Sequence, residues 1–238
     1  MNIYEESEIK EKTLKNYISS GNILSAISLD GLEINKEQSV YEFEKTICNG
    51  NTITDCVIHA CLPSNNIAAV GIEIKSEYDT TRRLAKQITD YLQVCDYVYI
   101  FAHEKHTQKI RNILKNIKGG YKVGIISYSE YDNEILAYLE KGAKTNTPNH
   151  YQYVNSFLKR KQLESIIKQY YGKRTSAITG TTRKPQLVNY LIQTKPMQEI
   201  KQKVIQTRVT KEAHFGHAYV VRKYSNKERR KYARRKRP

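Results

Sequence analysis

The run DYVYIFA (96–102) is apolar at almost every position. A strand with one wet face alternates apolar and polar residues, whereas an unbroken apolar strand is covered on both faces. That run therefore calls for a sheet with layers above and below it, and its surroundings supply the parts. AVGIEIK (69–75) reads as a strand before it and YKVGIIS (121–127) as a strand after it. Between them lie two helical patterns. One runs from Asp79-Thr80 to about Leu92, with Leu84, Ile88 and Leu92 as its apolar stripe, and the other spans 105–118 and ends at Gly119-Gly120. Upstream, VYEFEK (40–45) and TITDCVIHA (52–60) flank Asn49-Gly50-Asn51 as a hairpin. Residues 4–19 form an amphipathic helix with Ile9, Leu14 and Ile18 on one side. Residues 135–144 are either a strand returning from Asp132-Asn133 or a short helix, and the strand is favoured. The expected fold class is α/β, a mixed sheet flanked by helices whose parallel neighbours are joined by right-handed crossovers.

Charge divides the chain of 238 residues. Residues 1–150 hold 17 Lys/Arg against 20 Asp/Glu, and residues 151–238 hold 23 against 4. A basic segment on a mildly acidic body suits a polyanion partner, because each phosphate it neutralises releases counterions. The polar, proline-containing TNTPNH (145–150) marks the expected boundary. The organisation is thus 1–148 as an α/β domain, 149–221 as a small basic α-helical extension, and 222–238 as a disordered basic tail that orders on nucleic acid. The four cysteines form no C-x-x-C pair, so reduced buried thiols are expected. No apolar run is long enough to span a bilayer, so no membrane partner is expected, and the acidic start lacks the core of a secretory signal. Both points lead to an expected cytoplasmic location.

The strand 69–75 carries an acid and a lysine among apolar neighbours. Residues i and i+2 share a face, so Glu73 and Lys75 project together, opposite Ile72 and Ile74. If strand 52–60 pairs beside it, Asp55 meets Glu73 at one edge of the sheet. Two carboxylates held together repel and raise each other's pKa unless a cation sits between them. Mg²⁺ or Mn²⁺ is the hard ion that takes two carboxylates and completes its shell with water. Lys75 can then orient water or stabilise charge developing at phosphorus. In the following helix Arg83, Gln87 and Tyr91 are spaced i, i+4, i+8, a polar stripe that can face the same point. Arg82 and Arg83 can contact a DNA backbone. The competing structural reading is a plain Glu73–Lys75 ion pair, which accounts for neither Asp55 nor the Gln87/Tyr91 stripe.

Asp55, then Glu73-Ile74-Lys75, then Gln87-x-x-x-Tyr91 resembles the PD-(D/E)xK nuclease superfamily, in its RecB-like branch with a Gln-x-x-x-Tyr element. The string Glu73-Ile74-Lys75-Ser76, Asp79-Thr80, Arg83-Leu84, Gln87 looks like that of small bacterial and phage nuclease-like proteins. The resemblance covers roughly residues 5 to 145, with Thr54 where the superfamily often has proline. It implies a restriction-endonuclease-like sheet and metal-dependent hydrolysis of DNA phosphodiesters in a bacterial or phage-infected cell. It implies Asp55, Glu73 and the Ile74 carbonyl as metal ligands, and Lys75 as the catalytic lysine. A helix acid near the N-terminus belongs to the pattern, with Glu5, Glu8 and Glu42 as candidates and Glu8 favoured.

Residues 161–192 look like a SAP-type helix–extended–helix unit, with Leu163, Ile167, Leu187 and Leu191 as its core. Lys173, Arg174, Arg183 and Lys184 would be its phosphate contacts, and Arg229, Arg230, Arg234 and Arg235 those of the tail. A helical hairpin with a basic face gives the same contacts. The expected function is a Mg²⁺-dependent DNA nuclease with a basic DNA-binding extension. The alternative is a non-catalytic DNA-binding or regulatory protein on the same scaffold. Homodimerisation is left open by the sequence.

Overall fold

All nine residues of β3 (Ile67–Lys75) are buried in the computed structural model, which describes residues 3–132, 134–180, 183–208 and 214–216. β3 lies between β2 (Thr52–Cys61), to which it is antiparallel, and β4 (Tyr97–His103), to which it is parallel. β1 (Asn35–Ile47) forms the expected hairpin with β2. Its turn has Asn49 at φ 60° and Gly50 at φ 94°, left-handed conformations that Asn and Gly adopt most cheaply. On the other side β5 (Gly124–Tyr131) runs parallel to β4, and β6 (Glu134–Lys141) returns antiparallel to β5, so the strand reading of that segment holds. The result is one mixed sheet in the order β1-β2-β3-β4-β5-β6.

α2 (Leu84–Val94) connects β3 to β4, and α3 (Thr107–Lys115) connects β4 to β5. Both crossovers step the same way between parallel strands, so a common hand puts both helices on one face. Leu84, Ile88, Tyr91 and Val94 of α2 and Ile110 and Leu114 of α3 accordingly share one core cluster. α1 (Ile3–Ser19) covers the other face with Leu14 and Ile18, joined by Ile23 and Leu29 from the segment after it. The 97–102 run is split between the layers by alternation: Val98, Ile100 and Ala102 enter the α2 side, and Tyr97, Tyr99 and Phe101 the α1 side.

Three expectations need correction. The first helix after β3 does not begin at Asp79-Thr80. The Asp79 carboxylate instead accepts hydrogen bonds from the Ser76 N–H and Ser76 hydroxyl, both at 2.7 Å, closing a turn at the end of β3, and α2 starts five residues later. The helical run after residue 150 is not continuous either. α4 (His150–Phe157) and α5 (Arg160–Tyr171) are separated by Leu158 and Lys159 in extended conformation. The reading of 161–192 as helix–extended–helix also fails, because the short α6 (Thr175–Thr179) lies between α5 and α7 (Lys184–Thr194).

The last helix among the described residues is α8 (Met197–Gln206). Leu163, Ile167, Leu187 and Leu191 are fully buried, as expected for a helical core. That core is not separate from the sheet's. Tyr153, Phe157, Leu163, Leu187, Ile200 and Val204 belong to the same cluster as Val57, Ala69 and Val98. The polar link at 145–150 is itself pinned: the Asn146 N–H donates to the Asp96 carbonyl at 2.7 Å and the Asn149 N–H to the Gln93 carbonyl at 2.9 Å. The step in charge near residue 150 is therefore no break in packing. The tail 222–238, with Arg229, Arg230, Arg234 and Arg235, lies outside the described residues. Among the described residues no helix is long and apolar enough to cross a membrane.

Gly71 sets how closely α2 sits on the sheet. A Cβ there would come within 2.4 Å of the Tyr91 ring and 2.8 Å of the Cys95 sulfur. Gly71→Ala is thus expected to lower stability by about 1–3 kcal/mol through overpacking, seen as a lower denaturation midpoint, and to displace Tyr91.

Candidate active site at the end of the β2–β3 ladder

The regular pairing of β2 with β3 runs from Cys61↔Ile67 to Cys56↔Ile72. One step further sets Asp55 across from Glu73, with both side chains on the α2 face, since opposed residues share a face. The ladder is finished here by side chains. The Asp55 carboxylate accepts from the Ile74 N–H at 2.8 Å. The Tyr91 hydroxyl accepts from the Asp55 N–H at 2.8 Å and donates to the Ile72 carbonyl at 3.2 Å. Buried backbone groups must find partners, and Tyr91 supplies them where the strands stop bonding each other.

Glu73 is fully buried, and one of its oxygens, Oε1, accepts from the Lys75 ammonium at 2.6 Å. Its other oxygen, Oε2, is buried without a hydrogen-bond partner. The Gln87 side-chain oxygen lies 3.5 Å from the Lys75 nitrogen. Gln87 and Tyr91, one turn apart on α2, thus converge on Lys75 and Asp55, as their spacing anticipated. Arg83, at the N-terminal end of that stripe, is exposed, as is Arg82.

Electrostatics follow from this crowding. Burial first, and the Glu73 charge second, hold the Asp55 carboxyl well above the usual carboxylate range. Burial alone would lower Lys75, but the Glu73 and Asp55 charges outweigh it, so the amine titrates above an ordinary lysine. Tyr91 is pushed up as well, by burial and then by the same two acids. At neutral pH Lys75 is cationic and cannot itself accept a proton, which leaves it the roles of orienting water and stabilising anionic charge.

Glu8 and Glu11 are both exposed acids of α1, and the Glu11 charge, one turn further on, adds a smaller upward push at Asp55. Glu11 also pairs with the buried Lys15 at 2.7 Å, and Lys15 bonds Glu44 of β1 at 2.9 Å. Glu42 is occupied elsewhere, in ion pairs with Lys45 (3.2 Å) and Arg208. The i,i+4 spacing of Glu11 and Lys15 was the available signal for this group.

Of the expected phosphate contacts, Lys173, Arg174 and Arg183 are exposed, and Lys184 is half-buried and donates to the Asn155 carbonyl at 2.5 Å. Two cations that sequence reasoning passed over stand with Lys184. Lys45 of β1, one residue from the position across from Asp55, is lowered to about 8 by burial and by repulsion from Lys159 at the start of α5. Lys184 is lowered by burial and then by the charge of Lys45. Lys45, Lys159 and Lys184, from β1, the start of α5 and α7, therefore form one cationic group.

Among the described residues no group of three or more His, Cys, Asp or Glu side chains is gathered that could hold a metal ion. A family model described as Bacteriophage P4 protein cII matches residues 5–232. No curated protein and no solved structure matches the chain.

Proposed function

The chain belongs to the bacteriophage P4 protein cII family, and within that family we propose that it is a divalent-metal-dependent DNA nuclease on a restriction-endonuclease-like sheet. The observation that carries the reading is the Glu73 carboxylate: fully buried, with one oxygen on Lys75, the other unpartnered, and Asp55 across from it. An orphaned buried carboxylate oxygen beside a second acid is costly unless it has a ligand to hold. Asp55, Glu73 and the Ile74 carbonyl are the oxygens that would hold the ion. Two carboxylates without a third fit Mg²⁺ or Mn²⁺, since a Mg²⁺ site commonly uses one or two acids and leaves the remaining positions to water and substrate phosphate. When bound, the ion would supply charge neutralisation and an activated water for attack at phosphorus.

The chain's own groups do the rest. Lys75 holds a positive charge beside the reacting phosphate and keeps Glu73 oriented. Gln87 fixes the Lys75 amine, and Tyr91 fixes the backbone that presents Asp55. The lysines at 45, 159 and 184, with the exposed basic residues of the C-terminal helices and the basic residues of the tail, would carry the DNA backbone. Such an enzyme would work in the cytoplasm, on DNA.

The test is a cleavage panel. Full-length protein with Mg²⁺ or Mn²⁺ is expected to cut at least one of linear, nicked, branched or single-stranded DNA, and chelation is expected to stop it. Absence of product on every substrate with either ion would sink the enzymatic reading.

One observation favours a second reading, a DNA-binding protein that keeps the scaffold without catalysis. Lys75 already neutralises Glu73 through a direct ion pair at 2.6 Å. Strongly salt-dependent gel shifts with no metal-dependent product are the result this reading expects.

A further inference from the structure

The two edges of the sheet are protected very differently. β1 opens with Asn35-Lys36-Glu37-Gln38, all exposed and polar, the usual guard against edge-to-edge pairing. β6 carries its charges only towards its ends, at Glu134 and Glu140-Lys141, and the residues between them are apolar. Leu136 (41% exposed), Tyr138 (53%) and Leu139 (45%) stand on it in solvent, and Tyr131 (71%) ends the strand beside it. Tyr121, just before β5, is also exposed. These are five of the seven large apolar side chains exposed among the described residues, so the clustering is not the scatter of single apolar residues that any surface shows.

The two ends of β6 are also chemically opposite. Its N-terminal end carries Glu134, paired across the hairpin with Tyr131. Its C-terminal end carries Lys141 at the mouth of a cavity of about 510 Å³ walled by Leu114, Ile117 and Ile125 and rimmed by Arg111 and Lys115. The nearby carboxylate, Glu140, is engaged by Arg111 at 2.7 Å and by the Ser127 hydroxyl at 2.9 Å. Burial and the neighbouring charges of Lys144 and Arg111 lower the Lys141 pKa, a sign of cations without enough acid among them. Eight extended residues separate the ends by roughly 24 Å.

We propose that β6 is a homodimerisation edge: two copies pair their β6 strands antiparallel about a two-fold axis, each placing Glu134 and Tyr131 against the Lys141 end of its mate. An antiparallel mate of the same sequence inverts the ends, so acid and aromatic meet cation and apolar cavity twice. That self-complementarity is what a two-fold interface requires. Leu136 and Tyr138, which share one face of β6, gain cross-strand neighbours on the mate, and the sheet becomes continuous across both chains. The inference stands apart from the carboxylate site and holds whether or not that site cuts DNA.

Sedimentation or light scattering of the full chain from about 1 to 100 μM is expected to show a dimer. Glu134→Lys and Lys141→Glu should each raise the dissociation constant about tenfold or more, with circular dichroism unchanged. The two single variants mixed together should pair again, because each end then meets an opposite charge. Tyr138→Lys should give a monomer. A monomer at every concentration for the natural sequence overturns the proposal. So does a dimer that neither charge variant weakens, or single variants that weaken it without pairing with each other. Binding of a heterologous acidic peptide at β6 by a monomeric chain would assign the edge to another occupant and equally overturn it.

Discussion

Asp55→Asn will abolish metal-dependent cleavage and, in the same protein without metal, raise the thermal midpoint at neutral pH. The two effects share a cause. Asp55 is crowded by burial and by Glu73, so its folded pKa lies well above the unfolded value. An acid raised in this way opposes folding as pH rises from its unfolded pKa, about 3.9, towards its folded one, because the unfolded chain releases a proton that the folded chain keeps. Asn accepts the Ile74 N–H without carrying that charge, so the penalty goes. Cleavage should fall on the order of 10³-fold or more, since a ligand oxygen and its negative charge are both lost. DNA binding should persist, because the cationic surface is untouched. The pH series is a separate check: the metal-free natural protein should lose stability as pH rises above about 4, and the Asn variant should lose less. Full cleavage by Asp55→Asn removes Asp55 from the chemistry.

Lys75→Ala is the less clean companion. It leaves Glu73 charged, fully buried and unpaired, which costs about 3–5 kcal/mol when one member of a buried pair is removed. The double variant Glu73→Gln/Lys75→Met removes both charges and is expected to fold while remaining inactive. Folding of the double variant with loss of cutting separates chemistry from stability. Such an opposition is common at functional sites, where groups that a reaction needs are poor neighbours in its absence.

The site was legible because its parts obey the two simplest periodicities. Glu73 and Lys75 share a face by period two, and Gln87 and Tyr91 share one by a helical turn. Asp55 was reachable because the short LPSNN loop makes its strand and the Glu73 strand consecutive neighbours. The layered α/β sheet followed from the unbroken run 97–102, each residue of which is buried or nearly so on its own side. What escaped depended on local competition that a pattern does not display. Asp79 has two donors on Ser76 within reach and closes a turn with them, so the helix starts at Leu84. Glu8 and Glu11 are both exposed acids of α1, and only the seating of α1 brings the Glu11 charge to bear on Asp55. The basic C-terminal segment looked separate because charge is read along the chain, whereas packing is decided by which side chains reach the core. Residues such as Phe157, Leu187 and Val204 reach it from far down the sequence.

That common core gives the second large effect. Asp96→Ala should destabilise the protein by about 3–5 kcal/mol, a fall in thermal midpoint on the order of 10 °C. Asp96 sits between β3, β4, the 145–150 link and α8. Its carboxylate holds the Lys201 ammonium at 2.7 and 2.8 Å and accepts the Ala69 N–H at 2.7 Å. Its backbone N–H donates to the Ala69 carbonyl, and its carbonyl accepts from Asn146. Only 14% of the Asp96 side chain and 7% of the Lys201 side chain are exposed, so neither charge can turn to water once its partner is gone. Lys201 would then be a buried cation with the Tyr153 ring, 5.6 Å away, as its remaining favourable contact. Replacing both members, Asp96→Ala with Lys201→Met, removes the stranded charge and should recover most of the loss, leaving the cost of the orphaned Ala69 N–H, about 1–3 kcal/mol. Because α4–α8 share the sheet's core, the natural protein should unfold in one transition seen equally by probes in α8 and in the sheet. Asp96→Ala should weaken both regions together. If α8 instead melts alone, with the sheet's midpoint unmoved, the helices from residue 150 onward are an appendage to the fold and the shared core contributes little to its stability.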